Sequence, residues 1–354
     1  MSLDAILART VRRGGHDVTL FRTWLMLGCC AATPGAAHAR DLALAVDAPL
    51  RAALQQAVLQ PFGVESGLAV AQPAWNGSIA ALRDGLADLD MMLADGATLS
   101  EACAGGLLER LDTAKLLGRD RFVVPAPGEC GVPALAWGTV LAWNTEKFAG
   151  VPSWGDFWDV AKHPGKRGLL RGARQTLEIA LLADGVAPGD VYATLRLDGG
   201  VDRAFRKLDQ LRPYIVWYDA AANAPTLIGS GAVLFTSADS RVVVESNRAE
   251  HSSFGLQWNH SLLQVEGWAV VKGTPNIADA EHLLAFASDP LRQAALVALV
   301  PWLPVARPAA SKDDAHDAAL EAPDLSAALP VDEQFWHDNQ ARLEQRFAAW
   351  LAKS

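Results

Sequence analysis

A chain of 354 residues is long enough for two ordinary domains with well-buried cores. With 51% hydrophobic and 20% charged residues it has the composition of a globular protein, which excludes a disordered or fibrous chain. The formal net charge of −9 argues against a nucleic-acid-binding protein, because such proteins normally present a basic surface.

The first 39 residues contain the three parts of a secretory signal peptide. Arginines at positions 12, 13 and 22 precede a short apolar stretch at 24–32, and the small residues that follow end in Ala37-His38-Ala39. The apolar stretch is shorter than the roughly 20 residues that a membrane-spanning helix needs. We therefore expect cleavage after Ala39 and a periplasmic mature protein. Lipidation at Cys29, or an N-terminal helix of a cytoplasmic protein, is the alternative.

Two of the four cysteines, Cys103 and Cys130, lie beyond the predicted signal peptide. An even number of cysteines in an oxidising compartment favours pairing. A bond also requires the two Cα atoms to lie within about 7 Å, which the sequence leaves open. We treat Cys103–Cys130 as a candidate disulfide.

From residue 41 onward, short apolar runs alternate with helix-like segments. Strands are predicted at 42–46, 67–71 and 89–94, and helices at 49–59, 78–86 and 99–111. This β-α-β-α order predicts an α/β protein with a mostly parallel sheet covered by helices. Because ligands bind at the carboxyl ends of such strands, the candidate ligand loops are Asp47, 75–78 and 95–98.

The remaining elements follow the same pattern and end in an amphipathic helix. Strands are predicted at 137–143, 168–171, 232–236, 254–258 and 268–271, and helices at 173–184, 242–248, 278–287 and 291–300. Residues 306–330, rich in Ala, Asp and Pro, are predicted to be a connecting segment. In the last helix, apolar residues recur every three or four positions, so this stripe should pack on the protein itself. They are Phe335, Trp336, Leu343, Phe347, Trp350 and Leu351.

Sequence signatures of catalysis are absent. The chain has no G-x-S-x-G, H-E-x-x-H, phosphate-loop or G-x-G-x-x-G motif, and its eight histidines include no pair at metal-ligand spacing. Together with the signal peptide and the α/β pattern, this favours a binding protein that is not an enzyme and needs neither a metal nor a cofactor.

Five segments resemble the polyamine-binding family of bacterial solute-binding proteins, in the same order along the chain. They are AWGTVLAWN at 136–144, PSWGDFWD at 152–159 with PGKR at 164–167, ARQ at 173–175, LIGSGAVL at 227–234 continuing to Arg241, and EGWAVVKGTPN at 266–276. The resemblance spans about residues 41–352.

This resemblance implies a two-lobed periplasmic binding protein fold of type II, with the ligand cleft between the lobes. The expected first lobe comprises residues 40–136 and 264–306, and the second comprises 137–263 and 307–354, including the C-terminal helix. The implied function is that of the monomeric receptor of an ABC importer, which docks on a permease and ATPase complex in the inner membrane. An enzyme or a sensor built on the same fold is the alternative.

The resemblance also implies how a ligand is held. Polyamine binders use carboxylates for the ammonium groups and aromatic rings beside the methylene chain. Glu266 matches the family's ammonium-binding aspartate, whereas Gln175 replaces an acidic residue, and aromatic residues expected near 97–98, at Gln264 and near 238–239 are missing. The candidate ligand-binding residues are Glu266, Trp75, Asp95, Trp137, Arg174, Gln175, Asp239, Arg241 and Trp268.

The expected ligand is therefore a polyamine or a related small amine. Because much of the polyamine-binding set is replaced, a different small solute stays open as the alternative. Such a solute could carry an anionic group held by Arg174 or Arg241, as an amino acid or a phosphonate would.

The processing site can be tested directly. If the Ala37-His38-Ala39 site is used, mass spectrometry of the secreted protein should find Arg40 at the N-terminus. A secreted chain that begins at Met1, or one that is lipidated at Cys29, would contradict this prediction.

Overall fold

A computed structural model describes residues 41–85, 88–118, 120–197, 199–249, 251–307 and 323–353. The predicted signal peptide at 1–39 and residues 308–322 of the predicted connecting segment lie outside the described residues. Within the described ranges, we find no helix that is both long and apolar enough to cross a membrane.

The strands are short, with the exception of two that run through the middle of the molecule. They are β1 (Leu42–Val46), β2 (Val70–Ala71), β3 (Met91–Asp95), β4 (Val132–Asn144), β5 (Arg167–Leu170), β6 (Ile215–Tyr218), β7 (Phe235–Asp239), β8 (Phe254–Val270), β9 (Leu303–Pro304) and β10 (Leu329–Pro330).

The helices surround the strands. They are α1 (Ala48–Leu54), α2 (Gln60–Ser66), α3 (Ile79–Gly85), α4 (Gly96–Ala104), α5 (Thr113–Leu117), α6 (Trp154–Trp158), α7 (Thr176–Ala183), α8 (Val191–Arg196), α9 (Gly200–Leu211), α10 (Asn223–Ser230), α11 (Ser240–Ala249), α12 (Ile277–Ala287), α13 (Pro290–Val297) and α14 (Glu333–Leu351). A π-helical turn at Gln55–Leu59 joins α1 to α2, so the helix predicted at 49–59 continues to residue 66. It ends at Gly67, whose φ of 75° suits a left-handed helix cap.

All the strands belong to one sheet. Its order is β2-β1-β3-β8-β4-β7-β5-β6, with β9 paired to β4 and β10 paired to β8. The strands β2, β1 and β3 are parallel to one another, as are β6, β5 and β7, whereas β8 is antiparallel to β3 and β4, and β4 is antiparallel to β7. Each half of the sheet is therefore mostly parallel, as predicted, and the sheet as a whole is mixed because the chain passes between the halves through β4 and β8, which are antiparallel to each other.

The strand β8 corrects one expectation from the sequence. The sequence predicted two separate strands, at 254–258 and 268–271, but the structure has one strand of 17 residues. Much of the intervening segment is paired with neighbouring strands: Leu262 lies opposite Thr139 of β4 and Leu329 of β10, and Glu266 lies opposite Leu135 of β4 and Asp95 of β3. This pairing carries the strand through the predicted gap.

Buried apolar side chains form separate clusters on the two sides of the crossover strands. The first lobe, which contains β1–β3 and α1–α5, packs Leu44, Phe62 and Trp268 in one core together with α12 and α13. The second lobe, which contains β5–β7 and α6–α11, packs Leu177 and Phe205 in another. This is the predicted two-lobed α/β fold, and the residue boundaries of the lobes stay a prediction.

The C-terminal helix α14 packs on the second lobe through the apolar stripe identified in the sequence. Phe335, Trp336, Leu343, Phe347 and Trp350 are buried in the same core as α7 and α9, and Leu351 at the end of the stripe is partly buried. The helix therefore belongs to the core of the protein.

A buried carboxyl group joins this helix to the second lobe. The indole Nε1 of Trp336 on α14 and the hydroxyl of Tyr192 on α8 both donate to Glu178 Oε1 on α7, at 2.6 and 3.0 Å. Burial raises the pKa of Glu178 to about 7, and these hydrogen bonds oppose that rise only in part. Three helices are thus tied at one polar point inside an apolar core.

In the first lobe, a disulfide joins Cys103 at the end of α4 to Cys130, just before β4. The two Cα atoms are 5.9 Å apart, and the two residues are separated by 27 positions in the sequence. The bond connects the helix that follows β3 to the start of a crossover strand.

We expect secreted protein to show no free thiol at Cys103 or Cys130 when titrated without reductant. A closed loop of this length stabilises the fold by about 3–4 kcal/mol on the chain-entropy account, so reduction should lower the free energy of unfolding by about that amount in a denaturant titration. A Cys103→Ala/Cys130→Ala variant should not respond to reductant. Two free thiols in native protein would contradict the prediction.

Candidate functional site

A cavity lined by charged side chains lies at the carboxyl ends of β1 and β3, where the two lobes face each other. Asp47 follows β1 directly, and Asp95 is the last residue of β3. Since β1 and β3 are parallel, their carboxyl ends lie at one edge of the sheet, the usual ligand position in such folds. The cavity has a volume of about 340 Å³ and is lined by Asp47, Asp95, Gly96, Ala97, Trp137, Arg174, Arg241, Gln264, Val265, Glu266 and Glu333.

Three carboxyl groups of this cavity, those of Asp47, Glu266 and Glu333, are influenced by the charge of the fourth, Asp95. Glu266 lies directly opposite Asp95 in the β3–β8 ladder, and like charges at such positions repel. Burial raises the pKa of Glu266 to about 7, and Asp95 and Asp47 add to the effect, while Arg241 and the Trp137 indole oppose it.

The other two carboxyl groups respond to Asp95 in the same way. Burial, and then the charge of Asp95, raise the pKa of Asp47. Burial also raises the pKa of Glu333, with Asp95 adding to it and Arg174 opposing it. The grouping is therefore short of positive charge, and a cation that enters it would relieve the repulsion.

Arg241 supplies positive charge from the second lobe. Its guanidinium donates from Nη2 to Asp239 Oδ2 at 2.7 Å and from Nε to both carboxylate oxygens of Asp239 at 3.1 and 3.2 Å. The guanidinium carbon lies 3.8 Å from the centre of the Trp137 ring and 4.9 Å from that of Trp302, within cation–π range. Its Nη1 lies 4.0 Å from Glu266 Oε1. Asp239 and the two rings therefore hold Arg241 against the cavity.

Arg174 supplies a second positive charge, from the loop just before α7. Its Nη2 donates to Glu333 Oε1 at 2.6 Å. The backbone N–H groups of Ala173 and Arg174 donate to the carboxylate of Glu344 on α14, which fixes the loop that carries the arginine. The cavity thus combines carboxylates and guanidinium groups within one small volume.

Two buried polar atoms at the cavity have no hydrogen-bond partner among the described residues. They are the amide Nε2 of Gln264 and the carboxylate Oε2 of Glu333. Buried polar groups are nearly always paired, and leaving one unpaired costs about 1–3 kcal/mol. One atom is a donor and the other an acceptor, so a ligand that carries groups of both kinds would satisfy them.

The structure brings together most of the residues that the sequence singled out. Glu266, Asp95, Trp137, Arg174 and Arg241 all line the cavity. Asp239 does not line it but acts through Arg241, as its two-oxygen ion pair shows.

Three predicted site residues lie elsewhere. Trp268 is 1% exposed in the core of the first lobe, opposite Leu93 and Val132, because β8 at that point lies well inside the lobe. Trp75 packs against the same lobe and donates from its indole to the carbonyl of Ser78 at 3.3 Å.

Gln175 is the third of these residues. It lies at the N-terminus of α7 with a φ of 71°, outside the cavity lining, next to Arg174, which does line it. Its backbone conformation turns the chain into α7, so that the arginine and not the glutamine reaches the cleft.

Sequence reasoning missed two residues of the cavity. Gln264 marks a position where the polyamine-binding family has an aromatic ring, so its departure from that pattern was a usable signal. Glu333 was not among the candidate ligand-binding residues. Asp47 was identified as a loop candidate but was not included among the site residues.

The charged cavity continues into larger spaces. A cavity of about 490 Å³ shares Ala97, Arg174 and Glu333 with it, and one of about 840 Å³ shares Arg241. The cavity of about 840 Å³ and a further one of about 990 Å³ are lined mainly by apolar or small side chains. In the part of the chain that the structure describes, no group of three or more His, Cys, Asp or Glu side chains could hold a metal ion.

Two α/β lobes, long crossover strands and a charged cavity at the strand ends define a solute-binding protein. The sequence matches the profile of the bacterial extracellular solute-binding proteins over residues 61–323, and the chain belongs to this family. It is 40% identical over 311 residues to a γ-aminobutyric acid-binding protein of Pseudomonas aeruginosa. The alignment covers 86% of this chain and 88% of the relative.

Solved structures agree with this assignment. The structure of the Atu4243-GABA receptor matches 89% of this chain and 98% of its own, with 26% identity and a TM-score of 0.70. The binding protein AttC of Agrobacterium tumefaciens, in its open unliganded conformation, matches 88% of this chain and 100% of its own, with a TM-score of 0.76. Its 23% identity supports the shared fold alone.

The raised pKa of Glu266 makes a prediction for the protein without ligand. The pKa of this carboxyl group is 4.5 in the unfolded chain and about 7 in the folded protein. Between these pH values the folded state therefore binds more protons than the unfolded state. Stability should therefore fall as the pH rises through this range. Glu266→Gln lacks this titration and should gain stability relative to the wild type between pH 5 and pH 8, measured by thermal unfolding.

Glu65→Gln, on the exposed end of α2, is the charge-matched control for this experiment. Glu178 titrates in every variant, so its contribution cancels in the comparison. An equal difference between Glu266→Gln and the wild type at both pH values would show that burial does not raise the pKa of Glu266.

Proposed function

We propose that this protein is the periplasmic, monomeric receptor of an ABC importer, which delivers its ligand to a permease and ATPase complex. The ligand is a small zwitterionic amino acid of the γ-aminobutyric acid class, with an ammonium group and a carboxylate at opposite ends of a short chain. The protein carries out no reaction. The carrying observation is that one cavity of about 340 Å³ holds a group of carboxylates together with guanidinium and amide donors.

The ammonium group is expected to bind beside Asp95 and Glu266. Two carboxylates at opposite positions of adjacent strands attract a cation, and a charge-assisted hydrogen bond is stronger than a neutral one. Binding here would shift Glu266 to its ionised form, because the cation replaces the missing positive charge.

The carboxylate of the ligand is expected to bind towards Gln264 and Arg241. Gln264 lies two residues before Glu266 on β8, so their side chains leave the same face about 7 Å apart along the strand. An extended four-carbon chain can connect the two positions. Gln264 Nε2 lacks a partner among the described residues, and Arg241 Nη1 lies on the cavity side of the guanidinium.

A zwitterion suits this cavity better than a polyamine does. The faces of Trp137 and Trp302, which could flank a methylene chain, are already covered by Arg241. A second ammonium group would also meet the positive charges of Arg174 and Arg241. The named function of the Pseudomonas aeruginosa relative supports the same choice.

The polyamine class is the second candidate, and the charge balance favours it. The cavity lining has four carboxyl groups and two guanidinium groups, so a dication would neutralise it more fully. Ion pairing of Arg174 with Glu333 reduces that advantage by one carboxyl group of the lining, whereas Arg241 pairs with Asp239, which lies outside the lining, and does not reduce it further.

Three four-carbon ligands separate these candidates by calorimetry on secreted protein at pH 8. γ-Aminobutyric acid carries one charge of each sign, putrescine carries two ammonium groups, and succinate carries two carboxylates. We expect γ-aminobutyric acid to bind at least tenfold more tightly than either, a difference of about 1.4 kcal/mol.

Each other outcome has a definite meaning. Tighter binding of putrescine would establish the amine class, and tighter binding of succinate would establish an anion receptor. Binding of none of the three would rule out the proposed ligand class, and a wider thermal-shift screen would follow. Ligand at 100 times its Kd should add about 2.7 kcal/mol of stability in such a screen.

A further inference from the structure

Glu333, on the C-terminal helix, reaches the cavity from the second lobe. It is the first residue of α14, and its neighbour Asp332 caps that helix by accepting from the N–H of Phe335 at 2.8 Å. Its Oε1 accepts from Arg174 at 2.6 Å, whereas its Oε2 is buried and has no partner among the described residues. One carboxylate oxygen thus accepts a hydrogen bond from the protein, and the other has no donor among the described residues.

The start of α14 approaches the first lobe closely. A Cβ atom at Gly96 would lie 3.1 Å from Cγ of Glu333, tighter than an ordinary van der Waals contact. Gly96 directly follows Asp95, so the absence of a side chain there lets Glu333 come near the carboxyl grouping of the other lobe. The contact joins the two sides of the cleft at the ligand cavity.

The position of Glu333 is fixed by a buried hydrogen bond in the next turn of its own helix. One turn along α14, the Trp336 indole donates to the buried Glu178 at 2.6 Å. Glu178 lies in the first turn of α7, which follows the loop that carries Arg174, so α14 meets this part of the second lobe both at the buried contact and at the ion pair between Glu333 and Arg174. A recognition group held on rigid helices keeps its geometry better than one on a loop.

We infer that Glu333 is a specificity-determining residue of the ligand site, whose Oε2 accepts a hydrogen bond from the ammonium group of the ligand. The C-terminal helix therefore contributes to recognition and not only to the core of the second lobe. This inference rests on the proposed function, since it requires a ligand that carries an amine. It adds a contact from the second lobe to the carboxylates that the first lobe and β8 supply.

The alternative role for Glu333 is to hold Arg174 in place. The two roles predict different changes in selectivity. If Glu333 binds the ammonium group, Glu333→Gln lowers the affinity for γ-aminobutyric acid. The affinity for succinate stays unchanged or rises, because the variant removes a negative charge near the anion. If Glu333 only positions Arg174, the variant weakens both ligands or neither.

The experiment measures both affinities by calorimetry on secreted wild-type protein and on Glu333→Gln. We expect at least a tenfold loss of affinity for γ-aminobutyric acid, with no loss for succinate. Asp338→Asn removes the same charge from an exposed position of α14 and should change neither affinity. Glu333→Asp retains the charge but withdraws it by one methylene group, and it serves as the second variant if Glu333→Gln does not fold.

The outcomes separate this inference from the proposed function. If the wild type binds γ-aminobutyric acid and Glu333→Gln binds it equally well, the inference is wrong and the proposed function stands. If the wild type prefers putrescine, the proposed ligand is wrong, and the inference then requires Glu333→Gln to lose affinity for putrescine. If the wild type binds no amine, both are overturned.

Discussion

The antiparallel ladder between β4 and β8 is the constraint on which the rest of the structure depends. These two strands carry the chain between the lobes, and each continues into the sheet of both lobes. Their register places Trp137 opposite Gln264 and Leu135 opposite Glu266, so a shift of one residue would turn every cleft-facing side chain to the other face. The register of this ladder shifts between Pro133 and Leu135 and again between Thr139 and Leu141, on either side of the Trp137–Gln264 pair. The cross-strand pairing that joins the lobes is therefore also what sets the chemistry of the cavity.

The cavity places several carboxyl groups where their negatively charged forms are unfavourable. Asp47, Asp95, Glu266 and Glu333 share a small volume, and three of them have raised pKa values because burial and Asp95 both disfavour their ionised forms. Such an arrangement lowers the stability of the free protein, as strained or repulsive groups at functional sites commonly do. A ligand that brings positive charge and a hydrogen-bond donor removes part of this cost on binding. The affinity of the site and the instability of the empty cleft thus have a single origin.

The sequence predicted the fold and part of the site for identifiable reasons. The alternation of strands and helices predicted that Asp95 lies in a loop at the end of a strand, and therefore at the cleft. This succeeded because the ends of strands are set by local sequence. Trp268 was placed wrongly because a strand pattern gives the side-chain face but not how deep in a lobe the residue lies. Glu333 could not be placed, because its partner Arg174 is 159 residues away and no periodicity reports which distant elements meet. The merging of two predicted strands into β8 had the same cause, since its pairing partners are distant in sequence.

Arg241 determines how much of the aromatic surface near the cavity is left for a ligand. The guanidinium covers the faces of Trp137 and Trp302, so those rings now stack on a protein cation where they could have stacked on a ligand amine. Asp239 holds the arginine there by accepting hydrogen bonds at both of its carboxylate oxygens. Arginine suits such a site because its planar guanidinium can stack on an aromatic ring and donate to a carboxylate through two N–H groups at the same time. The arginine also adds a positive charge to a cavity that is otherwise rich in carboxylates. The lining therefore offers carboxylates for an ammonium group and a guanidinium for a carboxylate, as the proposed zwitterionic ligand requires.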